Sequence, residues 1–221
     1  MQDWPFPIED DGLFKIHDAL RMDMDDIKAI AERLSLASTV HSWENLAFTN
    51  VWTHFEKWVH EHHETEENIF FPWIATRIEL PERLASDHVA LMDMLLECAR
   101  LVEGHKYKEF SSAFTTFKTE MELHFVEEEK VIMPQLRDNF TRAEQKLVDA
   151  EIAKNLKLLD IGHLLRPLDK KAQIKWMKSV AEIPAIIIYL VMIPAIWHFN
   201  RTVGKKIRAL KSGEQQPGCA C

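Results

Sequence analysis

Apolar residues recur every three or four positions along four segments of the first 138 residues, which is the period of an amphipathic α-helix. These segments span roughly residues 12–36, 45–78, 82–103 and 106–138. Pro81 and Gly104 lie in short connections, and short connections favour antiparallel neighbours. The pattern therefore predicts an all-α fold, with an up-down-up-down four-helix bundle over residues 11–138.

Residues 139–211 are predicted to form a helical extension of this bundle. Thr141 is followed three positions later by Glu144, which is the signature of a capping box, and predicts a helix that runs to about Leu159. The stretch IGHLLRPLD, with Gly162 and Pro167, indicates a break before a further helix from Lys170.

The extension contains an unusually apolar segment at residues 183–199, IPAIIIYLVMIPAIWHF. At 1.5 Å per residue it is about 25 Å long, the lower edge of what spans a membrane. Three interpretations stay open: a helix docked on the bundle, a membrane span or re-entrant segment, and association with a membrane surface. The basic stretch at 201–211 favours the last of these.

Residues 212–221 are predicted to be a flexible tail that contains Cys219 and Cys221. The two thiols are either lipidated after the basic stretch or left unmodified. Together with Cys98 they do not form a disulfide framework, and no secretory signal is apparent at the N-terminus. We therefore expect a cytoplasmic protein or one on the cytoplasmic face of a membrane, with residues 183–221 as a possible membrane contact.

Composition narrows the class of protein. The chain has 221 residues, of which 47% are hydrophobic and only 6 are glycine, and this suits a helical protein with a substantial core. Its formal net charge is −8, and the acidic excess lies in the first two thirds. That charge argues against a nucleic acid as the partner of the bundle.

One pattern occurs twice, as HHETEENIFFPWI on the second predicted helix and HFVEEEKVIMPQL on the fourth. Each copy places a histidine four residues before a glutamate, and these residues share one helix face: His62 with Glu66, and His124 with Glu128. Both pairs lie on the apolar face, where an unpaired charge costs several kcal/mol. The proline later in each copy is expected to bend its helix.

The other two helices each carry a histidine on their apolar face, His17 on the first and His88 on the third. A single buried histidine is usually satisfied by a nearby carboxylate. Four of them on four helices, with two carboxylates one turn away, instead favour a metal site.

This arrangement of four single histidines and two His-x-x-x-Glu pairs resembles the hemerythrin-like (HHE cation-binding) family, over roughly residues 11–138. The resemblance implies a four-helix bundle around a non-haem iron centre, usually two irons bridged by carboxylates and an oxygen species. By matching positions, the implied ligands are His17, His62, Glu66, His88, His124 and Glu128.

These residues divide into two sets of two imidazoles and one carboxylate, which suit iron and leave coordination positions open. We expect His17, His62 and Glu66 in one half, and His88, His124 and Glu128 in the other. Glu66 is best placed to bridge two metals. Manganese and zinc would accept much of the same set.

The chain departs from the oxygen carriers of the family at Met92, where they have a second histidine on the third helix. A thioether is a poor ligand for non-haem iron, which argues against long-lived oxygen carriage. Glu129 is an alternative to Glu128, because the carriers place this carboxylate five residues after the histidine. His63 and Glu67 form a reserve pair beside the chosen one.

The remaining histidines, which include His54, His60 and His163, are expected at the surface or in loops. The leading hypothesis is an iron-binding protein that handles oxygen, nitric oxide, peroxide or iron availability through a small diatomic ligand such as O2 or NO. One alternative is a di-iron oxidase or oxygenase acting on a small organic or lipid substrate. Another is a membrane-associated interaction module with a structural metal.

Overall fold

A computed structural model describes residues 4–154 and 156–215, and over these ranges the chain is helical without β-strands. The four helices of the bundle are α1 (Gly12–Leu36), α2 (Ser42–Thr65, continued by Glu66–Phe70 and Phe71–Ile74), α3 (Arg83–Glu103) and α4 (Tyr107–Glu127, continued by Glu128–Ile132 and Met133–Asn139). The all-α class and the helical bundle that the sequence predicts are confirmed.

The order of contacts gives the directions of the helices. Ion pairs between α1 and α4 run in opposite directions along the two helices: His17–Glu129, Arg21–Glu122 and Asp25–Lys118. Ring contacts between α2 and α4 run in the same direction: Phe48–Phe110, Trp52–Phe114 and Phe55–Phe117. Helix α1 is therefore antiparallel to α4, and α2 is parallel to it, as in an up-down-up-down bundle.

The apolar core is divided into two clusters along the bundle. The larger cluster fills the end near the α3–α4 connection and is rich in aromatic side chains such as Phe48, Phe110 and Phe114. The smaller one fills the opposite end around Phe70, Ile74 and related side chains. The predicted histidines and glutamates lie between these two clusters.

The prolines of α2 and α4 produce π-helical turns. Each turn begins six residues before the proline, at Glu66 for Pro72 and at Glu128 for Pro134. In an α-helix the proline ring would clash with the carbonyl four residues earlier, and the extra residue in a π turn relieves that clash. A bend was expected at these positions, and the local structure is a widened turn that starts at the predicted ligand.

In its described part, the extension has five further helices: α5 (Arg142–Ala153), α6 (Leu158–Leu164), α7 (Lys170–Ser179), α8 (Ala185–Ile187, Ile188–Met192 and Ile193–Arg201) and α9 (Val203–Ser212). The capping box of Thr141 and Glu144 is confirmed. The predicted helix end at Leu159 is wrong, because α5 ends at Ala153 and α6 is a separate helix. Residues 216–221, with Cys219 and Cys221, lie outside the described residues.

The extension folds back onto the bundle. Ile207 and Leu210 of α9 are buried in the larger core cluster. His163 of α6 is fully buried, pairs with Asp23 of α1, and lies 3.2 Å from His54 of α2 between their ring nitrogens. The expectation that His163 lies at the surface is wrong, because its partners are distant in sequence. Burial and the nearby His163 lower the pKa of His54 to about 4.

The apolar segment at 183–199 forms most of α8 and has two unlike faces. Ile188, Ala195 and Phe199 are buried against the protein, whereas the opposite face exposes Ile186, Ile187, Tyr189, Leu190 and Trp197. Among the described residues, one helical stretch, Ala185–Ser212, is long and apolar enough to cross a membrane by length and composition alone. A docked helix agrees with the packing, and both membrane interpretations stay predictions.

Gly162 is where α6 and α8 approach most closely. A Cβ atom added at this position would lie 2.6 Å from Phe199 Cβ and 2.7 Å from the carbonyl oxygen of Ala195. Gly162 lies inside α6, and the break predicted for this stretch comes after it, at residues 165–169 with Pro167. The glycine instead allows two helix backbones to make contact.

We predict that Gly162→Ala destabilises the protein by about 1–3 kcal/mol, because the added methyl group overpacks the contact between α6 and α8. Urea unfolding followed by circular dichroism would measure the change. Gly12→Ala is the matched control, because a Cβ at Gly12 meets nothing within 4 Å. Equal unfolding midpoints for the two variants would contradict this account of the helix contact.

Candidate metal centre

The four bundle helices bring seven ionisable side chains together between the two core clusters. The layer contains all six predicted ligands together with His63, and each of the seven is at most 6% exposed. Helix α1 contributes one of them and α3 another, while α2 contributes three and α4 two. The layer contains His17, His62, His63, Glu66, His88, His124 and Glu128.

These side chains form two groups whose possible ligand atoms lie within 4.8 Å of one another. The first group contains His17, His62, Glu66 and Glu128. The second contains His63, His88, His124 and Glu66. Glu66 belongs to both groups, which is the geometry that a bridging carboxylate requires.

The two glutamates lie between the groups. Glu66 Oε1 is 3.4 Å from His62 Nε2, and its Oε2 is 3.6 Å from His88 Nε2. Glu128 Oε2 is 3.3 Å from His17 Nε2, and its Oε1 is 3.5 Å from His124 Nε2. Each carboxylate thus faces both sides of the centre.

The expected division of the ligands differs from the geometry in one respect. Glu128 was expected with His88 and His124 alone, and the structure groups it with His17 and His62 while keeping its second oxygen near His124. Helices α1 and α4 are adjacent in the bundle, so a carboxylate from α4 reaches the histidine of α1. The sequence cannot reveal this, because it does not order the side chains across the bundle.

Several of these buried polar atoms have no hydrogen-bond partner among the described residues. They include His17 Nε2, His62 Nε2, both ring nitrogens of His63, and both carboxylate oxygens of Glu66 and of Glu128. Buried polar groups in proteins are nearly always satisfied. Metal–ligand bonds of about 2 Å would satisfy these atoms, and the donor set of imidazoles and carboxylates fits a divalent cation such as iron.

His63 was predicted only as a reserve, and the structure places it inside the second group. Its ring stacks on that of His88, with the ring centroids 4.1 Å apart and the planes at 14°. Met92 packs against the larger core cluster and belongs to neither group. The second group thus has a third imidazole from His63 of α2, although the third helix has Met92 in place of a second histidine.

In the sequence, His63 ranks below His62 because the overlapping His–Glu pairs of this helix cannot all face the core. His62 and His63 are both buried, and each belongs to a different ligand group, with Glu66 common to the two groups. The signal for this arrangement is Glu66 itself, which lies four residues after one histidine and three after the other. Both spacings place side chains on neighbouring parts of a helix face.

Two carboxylates hold the histidine rings from outside the centre. Glu129 Oε1 is 2.9 Å from His17 Nδ1 and also accepts a hydrogen bond from Arg21. Glu67 Oε1 is 2.8 Å from His88 Nδ1. Such carboxylate–histidine pairs fix the ring orientation and leave the other ring nitrogen for a metal.

Burial sets the protonation of the metal-free centre. Burial, followed by repulsion from Glu128, raises the pKa of Glu66 well above its ordinary value. Burial and the neighbouring histidines lower the pKa values of His62 and His63 well below the ordinary value. For His17, burial disfavours the charged ring, but the nearby carboxylates of Glu128 and Glu129 outweigh it and raise the pKa.

Comparison with protein families agrees with this geometry. The family described as Hemerythrin HHE cation binding domain matches residues 9–136 and 79–173, two overlapping segments. The chain belongs to the hemerythrin HHE cation-binding family. The match includes every residue of both ligand groups. It extends beyond the four-helix bundle to residue 173, which lies in α7. No curated protein and no solved structure matches the chain.

We predict that metal uptake releases protons, and that it does so at pH values above the ordinary pKa of a glutamate. Metal ligands must be deprotonated, and the raised pKa values of Glu66 and His17 keep protons on these groups in the metal-free protein. His62 and His63 are already neutral and release none. Manganese titration of metal-free protein in weakly buffered solution with an indicator dye would count the protons.

The same titration of Glu66→Gln and Glu64→Gln provides the control. Glu66→Gln should release fewer protons for each metal bound, because the amide holds no titratable proton. Glu64 is exposed and outside the centre, so Glu64→Gln should release as many as the unmodified protein. Metal binding without any proton release would refute the assigned protonation states.

Proposed function

We propose that this hemerythrin-like protein holds two iron ions and binds a small ligand such as oxygen or nitric oxide. The observation that carries the proposal is the sharing of Glu66 between two buried groups of possible ligands. One group alone would indicate a single metal. Two groups with a common carboxylate support a pair of metals held close together.

The donor set also favours iron. Each group offers four side chains, of which at least two are imidazoles, and this leaves coordination positions for a small molecule. Iron, when bound, supplies a redox couple and those open positions. The chain's own residues bury the centre, orient His17 and His88 through Glu129 and Glu67, and offset the cationic charge with two carboxylates.

A narrow cavity gives a small molecule access to the second group. It has a volume of about 150 Å³ and reaches His124 from the surface between α3 and α4. Arg83 and Glu127, which form an ion pair, stand beside it. Its size suits a diatomic ligand or peroxide and excludes a large organic substrate.

The second candidate function is a di-iron oxidase or oxygenase. A larger cavity of about 400 Å³ reaches His62 and Glu66 of the first group, and its lining is mainly apolar. A cavity of this size and character could hold an organic substrate next to the centre.

Metal stoichiometry tests the proposal directly. We predict two irons for each chain after anaerobic loading, and a loss of about one iron in His63→Ala, because the second group then keeps only three of its four donors. His60→Ala is the matched control, since His60 lies on the same helix but is exposed. One iron per chain in fully loaded unmodified protein would refute the di-iron assignment.

The loaded samples also distinguish the two candidate functions. Exposure of the ferrous protein to oxygen, followed by argon, would be monitored by visible absorption. Bands that appear and disappear through repeated cycles support binding or sensing of a diatomic ligand. A single irreversible oxidation, faster when an organic substrate is present, supports the oxidase.

A further inference from the structure

The cavity of about 400 Å³ lies between the hemerythrin bundle and the C-terminal extension. Its walls come from α1 and α2 on one side and from α5, α6, α7 and α8 on the other. Its lining includes Leu13 and Ile16 from the bundle. The extension contributes Leu165, Met177 and Met192. The extension thus creates a partly open cavity that the four-helix bundle alone would not have.

The cavity borders the first ligand group. His62 and Glu66 line it, together with Thr65 of the same helix. A molecule that fills the cavity would therefore contact the side chains that hold the first metal. The narrow cavity at His124 is separate and lies on the other side of the centre.

Apart from Glu66 of the ligand groups and Asp11, which accepts from Gln145, the charged residues at the cavity are paired with one another or with Glu182. Arg142 donates to Asp149 over 2.5 Å, and Lys146 forms an ion pair with Glu182, also at 2.5 Å. The cavity therefore offers little attraction to a charged ligand, which would have to leave its hydration shell to enter. A neutral occupant avoids this cost.

Several polar atoms at the cavity have no hydrogen-bond partner among the described residues, and besides those of His62 and Glu66 they are Arg142 Nε and Gln145 Oε1. Gln145 is 2% exposed, and its amide nitrogen donates to both carboxylate oxygens of Asp11. Its Oε1 has no hydrogen-bond donor among the described residues. A hydroxyl group on the occupant would satisfy this acceptor.

We propose that this cavity binds a neutral, chain-like apolar molecule with a single hydroxyl group, such as a long-chain alcohol, and holds it beside His62 and Glu66. The proposal rests on the metal-binding function and specifies which organic molecule reaches that centre. The apolar chain fills the space between the bundle and the extension. The hydroxyl group supplies the donor that Gln145 lacks.

Calorimetric titration with octanol, decanol and dodecanol tests the class of ligand. Burial of each methylene group should strengthen binding by on the order of fourfold, because apolar transfer is worth about 0.8 kcal/mol for each group. Dodecanol should bind most tightly, and dodecanoate, its charged counterpart, should bind at least tenfold more weakly. Equal affinity for octanol and dodecanol would overturn the proposal.

Gly12→Phe locates the binding site. Gly12 lines the cavity, and a Cβ at this position meets nothing within 4 Å, so the ring would enter open space. We expect dodecanol affinity to fall at least tenfold. Leu147→Phe is the matched control, because Leu147 lies on α5 but is 75% exposed and outside the cavity. Unchanged affinity in folded Gly12→Phe would place the ligand elsewhere.

Paramagnetic broadening tests whether the ligand reaches the centre. Full-length protein loaded with manganese should broaden the proton resonances of bound dodecanol, whereas zinc-loaded protein should not. Equal line widths with dodecanol bound would overturn the placement beside His62 and Glu66. Failure to bind any metal would refute the proposed function alone, since calorimetry on metal-free protein still tests the cavity.

Discussion

Burial of an ionisable layer between two apolar clusters is the constraint on which the rest of this structure depends. Five imidazoles and two carboxylates occupy the middle of the bundle, where unpaired polar groups are expensive. Many of their ring nitrogens and carboxylate oxygens have no hydrogen-bond partner among the described residues. The protein interior is therefore arranged around a cation, and Glu67, Glu129 and Arg21 hold the outer side of the layer in place.

The backbone contributes to this arrangement through its prolines. Pro72 and Pro134 widen their helices into π turns that begin at the two glutamates of the centre. A third π turn begins at Ile188, six residues before Pro194 in α8. The same offset in three places ties the turn to the proline, because the ring cannot be accommodated in regular α-helix.

Much of the fold and the centre can be predicted from the sequence, because they depend on local periodicity. His62 with Glu66, and His124 with Glu128, are one turn apart on apolar faces, so their inward position follows from helix geometry alone. His63 is harder to rank, because adjacent residues of a helix point in different directions. Only the packed bundle shows that His62 and His63 both face inward.

Other features depend on contacts between distant parts of the chain and leave no local signal. His163 is buried in an ion pair with Asp23, which lies about 140 residues earlier in the chain. Gly162 lies within a helix, at a position where α8 packs too closely to leave room for a side chain. Glycine in the sequence alone indicates a break. The cavity beside the centre is also invisible to periodicity, since it exists only where α5 to α8 cover α1 and α2.

The return of α9 to the bundle has a consequence for how the protein is made. Ile207 and Leu210 complete a core whose other buried members come from the first 125 residues, so that core stays open until α9 has been synthesised. The hemerythrin helices and the extension should therefore mature as one cooperative unit once α9 is available. A fragment that ends at residue 138 would expose part of this core to water.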